Sequence, residues 1–368
     1  MRFTCLKTDI AQAIVNVQRV VAAKAALPVL EGVLIKAEND SICISAYDLE
    51  IGITTNIEAS VSMPGEVVLS ARLFSDIIRR LPEEIVSIET DERLITYIKS
   101  GRTDYQIVGM SSVEFPDLPT FEKTDSVFIK AGLIKEMIRQ TVFAVSDNSA
   151  KPIYTGSLFE IKNKKLRIVA IDGFRLALRE EEIESEVENR FVVPGKTQKE
   201  VLNILTDDDK NVEINIGKRH ISFKIENYEI ISRLIDGEFL DYDATIPKTT
   251  KTEIIINARV FYDSVERMAL LNNDRIKSPV KISIFKDEMR LLCSTSVGKA
   301  NDSIKISTIG DEVEIGFNNR FLMDALKNTD TDEVKLVLNG PLSPMIVKPA
   351  QGDNYVMLVV PMRLNAEG

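Results

Sequence analysis

The chain has 368 residues, 44% of them hydrophobic and 28% charged, with a formal net charge of -10 at neutral pH. That size and balance fit a globular protein of two or three domains and exclude a disordered chain. They also exclude a protein that coats itself in nucleic acid through an overall basic surface, because phosphate contacts dominate such binding.

No apolar run reaches the roughly 18 residues that a membrane span requires, and residues 1–9 mix charged with apolar types where a secretory signal has an apolar core. The expected setting is the cytoplasm. Cys5, Cys43 and Cys293 form no C-x-x-C pair, so they are expected to be small buried hydrophobes, without disulfides or zinc.

Self-similarity organises the chain. Segments ending I-S-A-Y-D at Asp48, I-V-A-I-D at Asp172 and L-L-C-S-T-S at Ser296 read as strands and recur at intervals of 124 residues. Helix starts keep the same beat at Ser70-Ala71-Arg72, Pro194-Gly195-Lys196 and Asn318-Asn319-Arg320. The first copy opens with an amphipathic helix predicted over 9–23, with Ile10, Ile14, Val17 and Val21 on one face and Gln12, Asn16 and Arg19 on another. Alternating strands follow, then a second helix that exposes Arg72, Arg79 and Arg80. Copy two sets Leu133, Met137, Ile138 and Thr141 opposite Lys135 and Arg139, and its second helix exposes Lys196 and Lys199. Copy three sets Phe261, Val265 and Met268 opposite Arg259 and Asp263, and then exposes Arg320 and Lys327.

Turn residues cluster at 116–124 and 247–251, and Pro361 closes the last copy, which places the three domains at 1–122, 123–249 and 250–368. The fold class is α+β. Two helices cannot cover much sheet, so each copy should lay its pair against one side of antiparallel sheet. Acidic residues crowd 180–188, 207–209 and 241–243, positions predicted as loops, while the helices carry the bases. Such segregation allows a basic face on an acidic protein.

The most informative stretch is V-A-I-D-G-F-R-L-A-L, from Val169 to Leu178. By composition it is a hairpin around a two-residue Asp172-Gly173 turn, with Arg175 toward solvent. Other short pieces accompany it: V-V-P-M-R-L at 359–364, L-P-V-L at 27–30, A-Y-D-L-E at 46–50, S-G-R at 100–102, F-P-D-L-P at 115–119 and L-I-D-G-E-F at 234–239. In that order and spacing they resemble the bacterial sliding clamps, the beta subunits of DNA polymerase III.

The resemblance implies a DNA polymerase processivity factor: two chains dimerise head to tail into a closed ring of six repeats lined by twelve helices. Helix spacings of about 9 Å would leave a hole of order 25 Å, room for a duplex whose major groove is about 12 Å wide. It implies these partners: a second copy, double-stranded DNA regardless of sequence, the polymerase III alpha subunit and other polymerases, and a clamp loader. It implies no catalytic residue, cofactor, metal or membrane. DNA would be held by phosphate contacts alone, which suit sliding, from Arg19, Lys24, Arg72, Arg79, Arg139, Lys196 and Lys199.

At the dimer interface the resemblance sets Tyr105 and Ile107 against Leu270 and Leu271. Nearby the chain departs from the family's acid-rich V-G-E-A-x-E, with Val297-Gly298-Lys299-Ala300-Asn301-Asp302 in its place. A groove for apolar-ended partner peptides is implied for Tyr154, Ile171, Gly173, Phe174, Arg175, Leu176, Leu240, Thr245, Pro344, Val359, Val360, Pro361, Met362 and Arg363. Phe174 stands where a histidine is usual, and Leu240 where a proline is.

Catalytic constellations are scarce. His220, the single histidine, falls in an alternating strand pattern and reads as structural. Pro194-Gly195-Lys196-Thr197 ends like a phosphate-binding loop, but Arg190 holds the place of its first glycine, so a helix start is expected. Asp330-Thr331-Asp332-Glu333 lacks the glycine and distal glutamate of a calcium loop. Two alternatives to a clamp stay open: a metal-dependent nuclease or phosphoesterase using Asp172 around magnesium, and a protein scaffold that binds no DNA.

Overall fold

The computed structural model describes residues 1–120, 122–148, 150–272 and 278–364. These form two compact units, one from Met1–Lys135 with Lys196–Leu234, the other from Glu136–Gly195 with the chain from Ile235 onward. Each unit contains two antiparallel sheets.

Six α-helices occur among the described residues: α1 Lys7–Val17, α2 Ala71–Arg80, α3 Ala131–Val142, α4 Gly195–Ile204, α5 Ala258–Ala269 and α6 Asn319–Lys327. Their apolar spacing explains them. In α1, Ile10, Ala13, Ile14 and Val17 are buried in one stripe, and in α2 the stripe is Phe74, Ile77 and Ile78 while Arg79 and Arg80 close the last turn. Basic side chains in the last turn complement the helix dipole. Asn257 caps α5 by accepting from the Val260 amide at 3.0 Å, and Asn318 caps α6 by accepting from Arg320 at 3.0 Å. The helix predicted over 9–23 is shorter than its pattern: α1 ends at Val17 and a 3-10 turn carries the chain only to Val20.

In the first unit a five-stranded sheet runs in the order Ser60–Met63, Arg2–Leu6, Ile85–Thr90, Ile95–Ser100, Thr103–Val108. An eight-stranded sheet joins Lys123–Lys130, Asn211–Gly217, His220–Ile225 and Tyr228–Arg233 to Ile51–Glu58, Ser41–Tyr47, Gly32–Glu38 and Gly65–Ser70. The strand Tyr228–Arg233 thus pairs with Ile51–Glu58, and two sequence copies share one sheet.

The second unit repeats the device. Its nine-stranded sheet runs Asn189–Pro194, Gly156–Lys162, Lys165–Ile171, Arg175–Glu182, Tyr355–Val359, Met345–Pro349, Glu333–Leu338, Thr252–Asn257, Ser307–Gly310, so Tyr355–Val359 pairs with Arg175–Glu182. Its four-stranded sheet runs Gly298–Lys305, Glu288–Thr295, Val280–Ile284, Val313–Phe317. The strands Ser41–Tyr47, Lys165–Ile171 and Glu288–Thr295 end one residue before Asp48, Asp172 and Ser296, so the 124-residue beat of the sequence is a structural repeat.

Of the acidic clusters predicted as loops, 207–209 and 241–243 lie outside helix and strand. Glu180 to Glu182 instead complete the strand Arg175–Glu182, where Glu180 meets Arg167 and Lys165 on the neighbouring strand. Cross-strand charge pairing offsets the poor strand propensity of glutamate there.

Candidate functional site

The hairpin at Asp172 is longer than two residues: the strands stop at Ile171 and resume at Arg175. The side chain of Asp172 replaces a tight turn, its Oδ1 accepting from the amides of Phe174 at 2.9 Å and Arg175 at 3.0 Å. Gly173 takes φ +92, a left-handed conformation that suits glycine, and a Cβ there would meet nothing within 4 Å. The first copy has the same turn: Asp48 Oδ1 accepts from Glu50 and Ile51, with Leu49 at φ 76.

Contrary to the solvent-facing expectation, Arg175 is only 8% exposed. Its Nε donates to Asp172 Oδ2 at 2.9 Å and its Nη1 bonds Asp324 of α6. The guanidinium lies 4.7 Å from the ring centroid of Phe321 and 5.6 Å from that of Phe143. Phe174, 62% exposed, stacks on Phe321. A buried guanidinium needs such paired carboxylates. Phe143, Phe321 and Asp324 are not legible in the sequence as members of this wall, because nothing there announces that the end of α3 and one face of α6 meet the hairpin.

Beside that wall lies an apolar floor. Ile171 and Leu176 join one buried cluster with Leu158, Val169, Val192, Phe239, Tyr242 and Leu358, against which Tyr154 and Val360 pack. Tyr154 meets Phe239 edge to face at 5.8 Å. The Tyr242 hydroxyl donates to Glu160 at 2.7 Å and accepts from Arg167 at 2.9 Å; burial pushes its pKa up to about 12. Thr245 turns its hydroxyl back to the Tyr242 carbonyl, and Leu240 stays 40% exposed. The C-terminal strand supplies the other side. Val359 is buried, opposite Arg175 and Met345, and the Val360 amide donates to the Phe174 carbonyl at 2.9 Å. Pro344, Pro361 and Met362 are half-buried and Arg363 is exposed. Met362 is held elsewhere by its backbone, its amide donating to Gly316 at 2.8 Å.

The expected DNA-contacting bases fall into two groups. Arg19, on the 3-10 turn after α1, Lys24 on the following loop, Arg72 at the start of α2 and Lys199 on α4 are exposed and form no ion pair among the described residues. Arg79 is held by Asp76 at 2.6 Å, Arg139 by Glu136 at 2.6 Å, and Lys196 by Asp48. Hydrogen bonds from Arg80 and Arg79 lower the Asp76 pKa.

Of the expected interface residues, Tyr105 and Ile107 lie on Thr103–Val108, an edge strand of the five-stranded sheet with Tyr105 38% exposed. In the second unit Gly298–Lys305 is likewise an edge strand, and Leu270, just past α5, is 80% exposed. Asp302 on that edge accepts from Ser264 at 2.8 Å and from Arg267. Burial alone would raise its pKa, but the hydrogen bonds from Arg267, Ser264 and the Ser303 amide, with the charge of Arg267, together outweigh burial and lower it.

Among the described residues no group of three His, Cys, Asp or Glu side chains could hold a metal ion. Burial pushes the Cys5 thiol up to about 12 and, with Arg233 and Arg219 nearby, pushes the His220 pKa down. No helix among the described residues is long and apolar enough to cross a membrane.

Three copies of a helix pair on antiparallel sheet, with sheets shared between successive copies, define a DNA-clamp protein. The family models for the DNA polymerase III beta subunit match in the same order: N-terminal domain at residues 1–119, central domain at 128–241 and C-terminal domain at 243–363. The chain is 32% identical to the beta sliding clamp of Bacillus subtilis, covering 99% of this chain and 100% of that one, and 31% identical to that of Staphylococcus epidermidis over 99% of each. Among solved structures, a DNA polymerase III beta subunit from Eubacterium rectale superposes with TM-score 0.95 at 34% identity over 100% of both chains. A sliding clamp from Bartonella birtlesii bound to griselimycin superposes with TM-score 0.94 at 29% identity over 99% of this chain and 100% of that one. The chain belongs to the DNA polymerase III beta subunit family, the bacterial sliding clamps. Its function is that of a processivity factor in DNA replication.

Proposed function

We propose that two copies pair head to tail, the Thr103–Val108 edge of each against the Gly298–Lys305 edge of the other, into a ring that encircles duplex DNA. Tyr105 and Ile107 meet Leu270 and Leu271 at each junction. The observation that carries this is the pair of unpaired, partly apolar edge strands at the two ends of the chain's repeat order. Such edges invite association unless they are covered, and closure covers both. The three domains are the clamp repeats at 1–122, 123–249 and 250–368. Topology then retains the DNA, and phosphate contacts from Arg19, Lys24, Arg72 and Lys199 need only be weak. Arg79, Arg139 and Lys196 contribute after exchanging their carboxylates for phosphate.

The apolar floor at Ile171, Leu176 and Val360, walled by Tyr154 on one side and Phe174 on the other, takes the short apolar-ended segments of the polymerase III alpha subunit, other polymerases and the clamp loader. Phe174 in place of histidine gives it a more apolar rim whose character does not change with pH. The ring acts without catalysis, in the cytoplasm. The deciding experiment is retention on DNA: protein loaded on a circular duplex stays bound and is lost when the circle is linearised. Loss at equal rates from both forms would reject encirclement.

A further inference from the structure

The chain joins its own copies twice, and the two junctions share one register. Tyr228–Arg233 meets Ile51–Glu58 with Tyr228 opposite Thr55, and Tyr355–Val359 meets Arg175–Glu182 with Tyr355 opposite Arg179. The amides of Met110, Ile235 and Met362 donate to the carbonyls of Val68, Val192 and Gly316, which are spaced by 124 residues. Thr103 is therefore the first copy's counterpart of both tyrosines, seven residues earlier in each case.

On the facing strands the counterpart of Thr55 and Arg179 is Asp302. Arg179 donates to Gln140, the tenth residue of α3, at 2.8 Å, and Asp302 accepts from Arg267, the tenth residue of α5, at 2.9 Å. In the first unit the Tyr228 hydroxyl, opposite Thr55, bonds Asn16, the tenth residue of α1. A head-to-tail junction built like these two is antiparallel, with Thr103 opposite Asp302, Gln106 opposite Lys299 and Ile107 opposite Gly298 of the second copy. Gly298 lies beside Leu271, within 3.8 Å of where its Cβ would be, so this register also serves the apolar core of the interface.

Side chains alternate across a strand, and Asp302 turns toward α5. Lys299 and Asn301 thus share the outer face with Gln106 and Asp104. Lys299 and Asp104 are exposed, and neither forms an ion pair among the described residues, although Lys99 stands opposite Asp104 in its own sheet. Lysines on these sheets reach diagonally. Lys165, opposite Glu182, pairs with Glu180 at 2.7 Å; Lys281, opposite Gly316, pairs with Glu314 at 2.8 Å; Lys335, opposite Ile255, pairs with Glu253 at 3.8 Å. Each takes the acid two residues before its opposite number, the diagonal that strand twist brings near. Two residues before Gln106 is Asp104.

We infer that Lys299 of each copy pairs with Asp104 of the other at both junctions of the ring, a contact that rests on the head-to-tail reading and selects which chains close with this one. An exposed rim pair adds little affinity but discriminates between partners. A clamp chain with an acid at the place of Lys299 meets Asp104 as a like charge and is disfavoured in a mixed ring.

The test is the dissociation constant of the dimer, measured by sedimentation. Lys299→Glu and Asp104→Lys each put a like-charge contact at both junctions and should weaken the dimer about tenfold, an effect that added salt shrinks. Both substitutions in one chain should restore the dimer. Mixed together, the two single variants should prefer each other, because their mixed ring has an attractive pair at both junctions. With homodimers about tenfold weaker, tagged-chain capture should find mixed dimers raised from the statistical half to about nine tenths. A wild-type chain that stays monomeric would overturn the ring and this contact together. A wild-type dimer whose single variants mix statistically, or whose double variant is no tighter than the singles, would overturn the Lys299 and Asp104 pair and leave the ring standing.

Discussion

Arg175→Met is the sharpest probe of the groove wall. It removes a guanidinium whose side chain is 9% exposed from two carboxylates, Asp172 at 12% and Asp324 at 32%, and from the faces of two phenylalanines. Leaving a buried ion-pair partner uncompensated costs about 3 to 5 kcal/mol. Asp324 recovers part of its hydration and Asp172 Oδ1 keeps its two backbone donors, so the lower figure, about 3 kcal/mol, is expected for the unit that holds the hairpin. Urea unfolding should show it, and the Val360 amide, bonded to the Phe174 carbonyl, should lose hydrogen-exchange protection in parallel. In an Asp324→Asn background the same substitution should cost about 1 to 2 kcal/mol less, because one orphaned charge is already gone. Partner-peptide affinity should fall with the loop's order in the single variant. A loss below about 1 kcal/mol with unchanged Val360 exchange would show that the guanidinium is a bystander.

Tyr105→Arg places a charge on an edge strand expected to meet its partner edge, and light scattering at micromolar concentration should then report about 41.2 kDa in place of twice that mass; an unchanged dimer would reject that edge as the interface. Substituting Arg19, Lys24, Arg72 and Lys199 together by Gln should reduce the salt dependence of DNA binding by about 0.9 logarithmic units per lost phosphate contact. An unaltered slope would mean these bases face away from DNA. His220 has a folded pKa below its unfolded value, so the unfolded chain binds the proton more readily. Stability present above about pH 6.5 should be lost as pH falls through the lower folded pKa, and His220→Gln should flatten that limb of the melting curve.

The repeat was the legible part of this protein. Strand ends at Asp48, Asp172 and Ser296 and helix starts near Ser70, Pro194 and Asn318 are local signals, set by turn and cap chemistry, and they recur. Less legible was everything that depends on which faces meet. The pattern of residues 9–23 supports a longer helix than α1, because Val21 continues the apolar stripe even though the chain leaves helix at Val20. Glu180 to Glu182 read as a solvated loop because their stabilising partners, Arg167 and Lys165, lie on another strand. Arg175 read as an outward hairpin side chain because Asp324 and Phe321, which bury it, are far along the sequence. Burial of a charge is a tertiary fact, and the local pattern carries no trace of it.

The same comparison explains why the chain should offer one groove per protomer although it repeats the scaffold. In the first copy the places of Ile153, Tyr154, Ile171, Val192 and Phe239 are taken by Val29, Leu30, Tyr47, Val68 and Phe115, and these too form a buried cluster. The difference is in the floor. Where the second copy has Leu176, the first has Gly52, and Leu118 fills the vacancy so closely that a Cβ on Gly52 would lie 2.4 Å from its Cδ2. A peptide side chain entering there would have to displace the half-buried Leu118 from its place over Gly52, which forfeits contacts comparable to those it would gain. Titration of the intact protein with an apolar-ended partner peptide should therefore saturate at one peptide per chain. Phe174→Ala, which strips the exposed ring from the rim beside Leu176, should weaken that one event. A second equivalent of bound peptide, insensitive to Phe174→Ala and lost in Gly52→Ala, would show that the first copy opens after all.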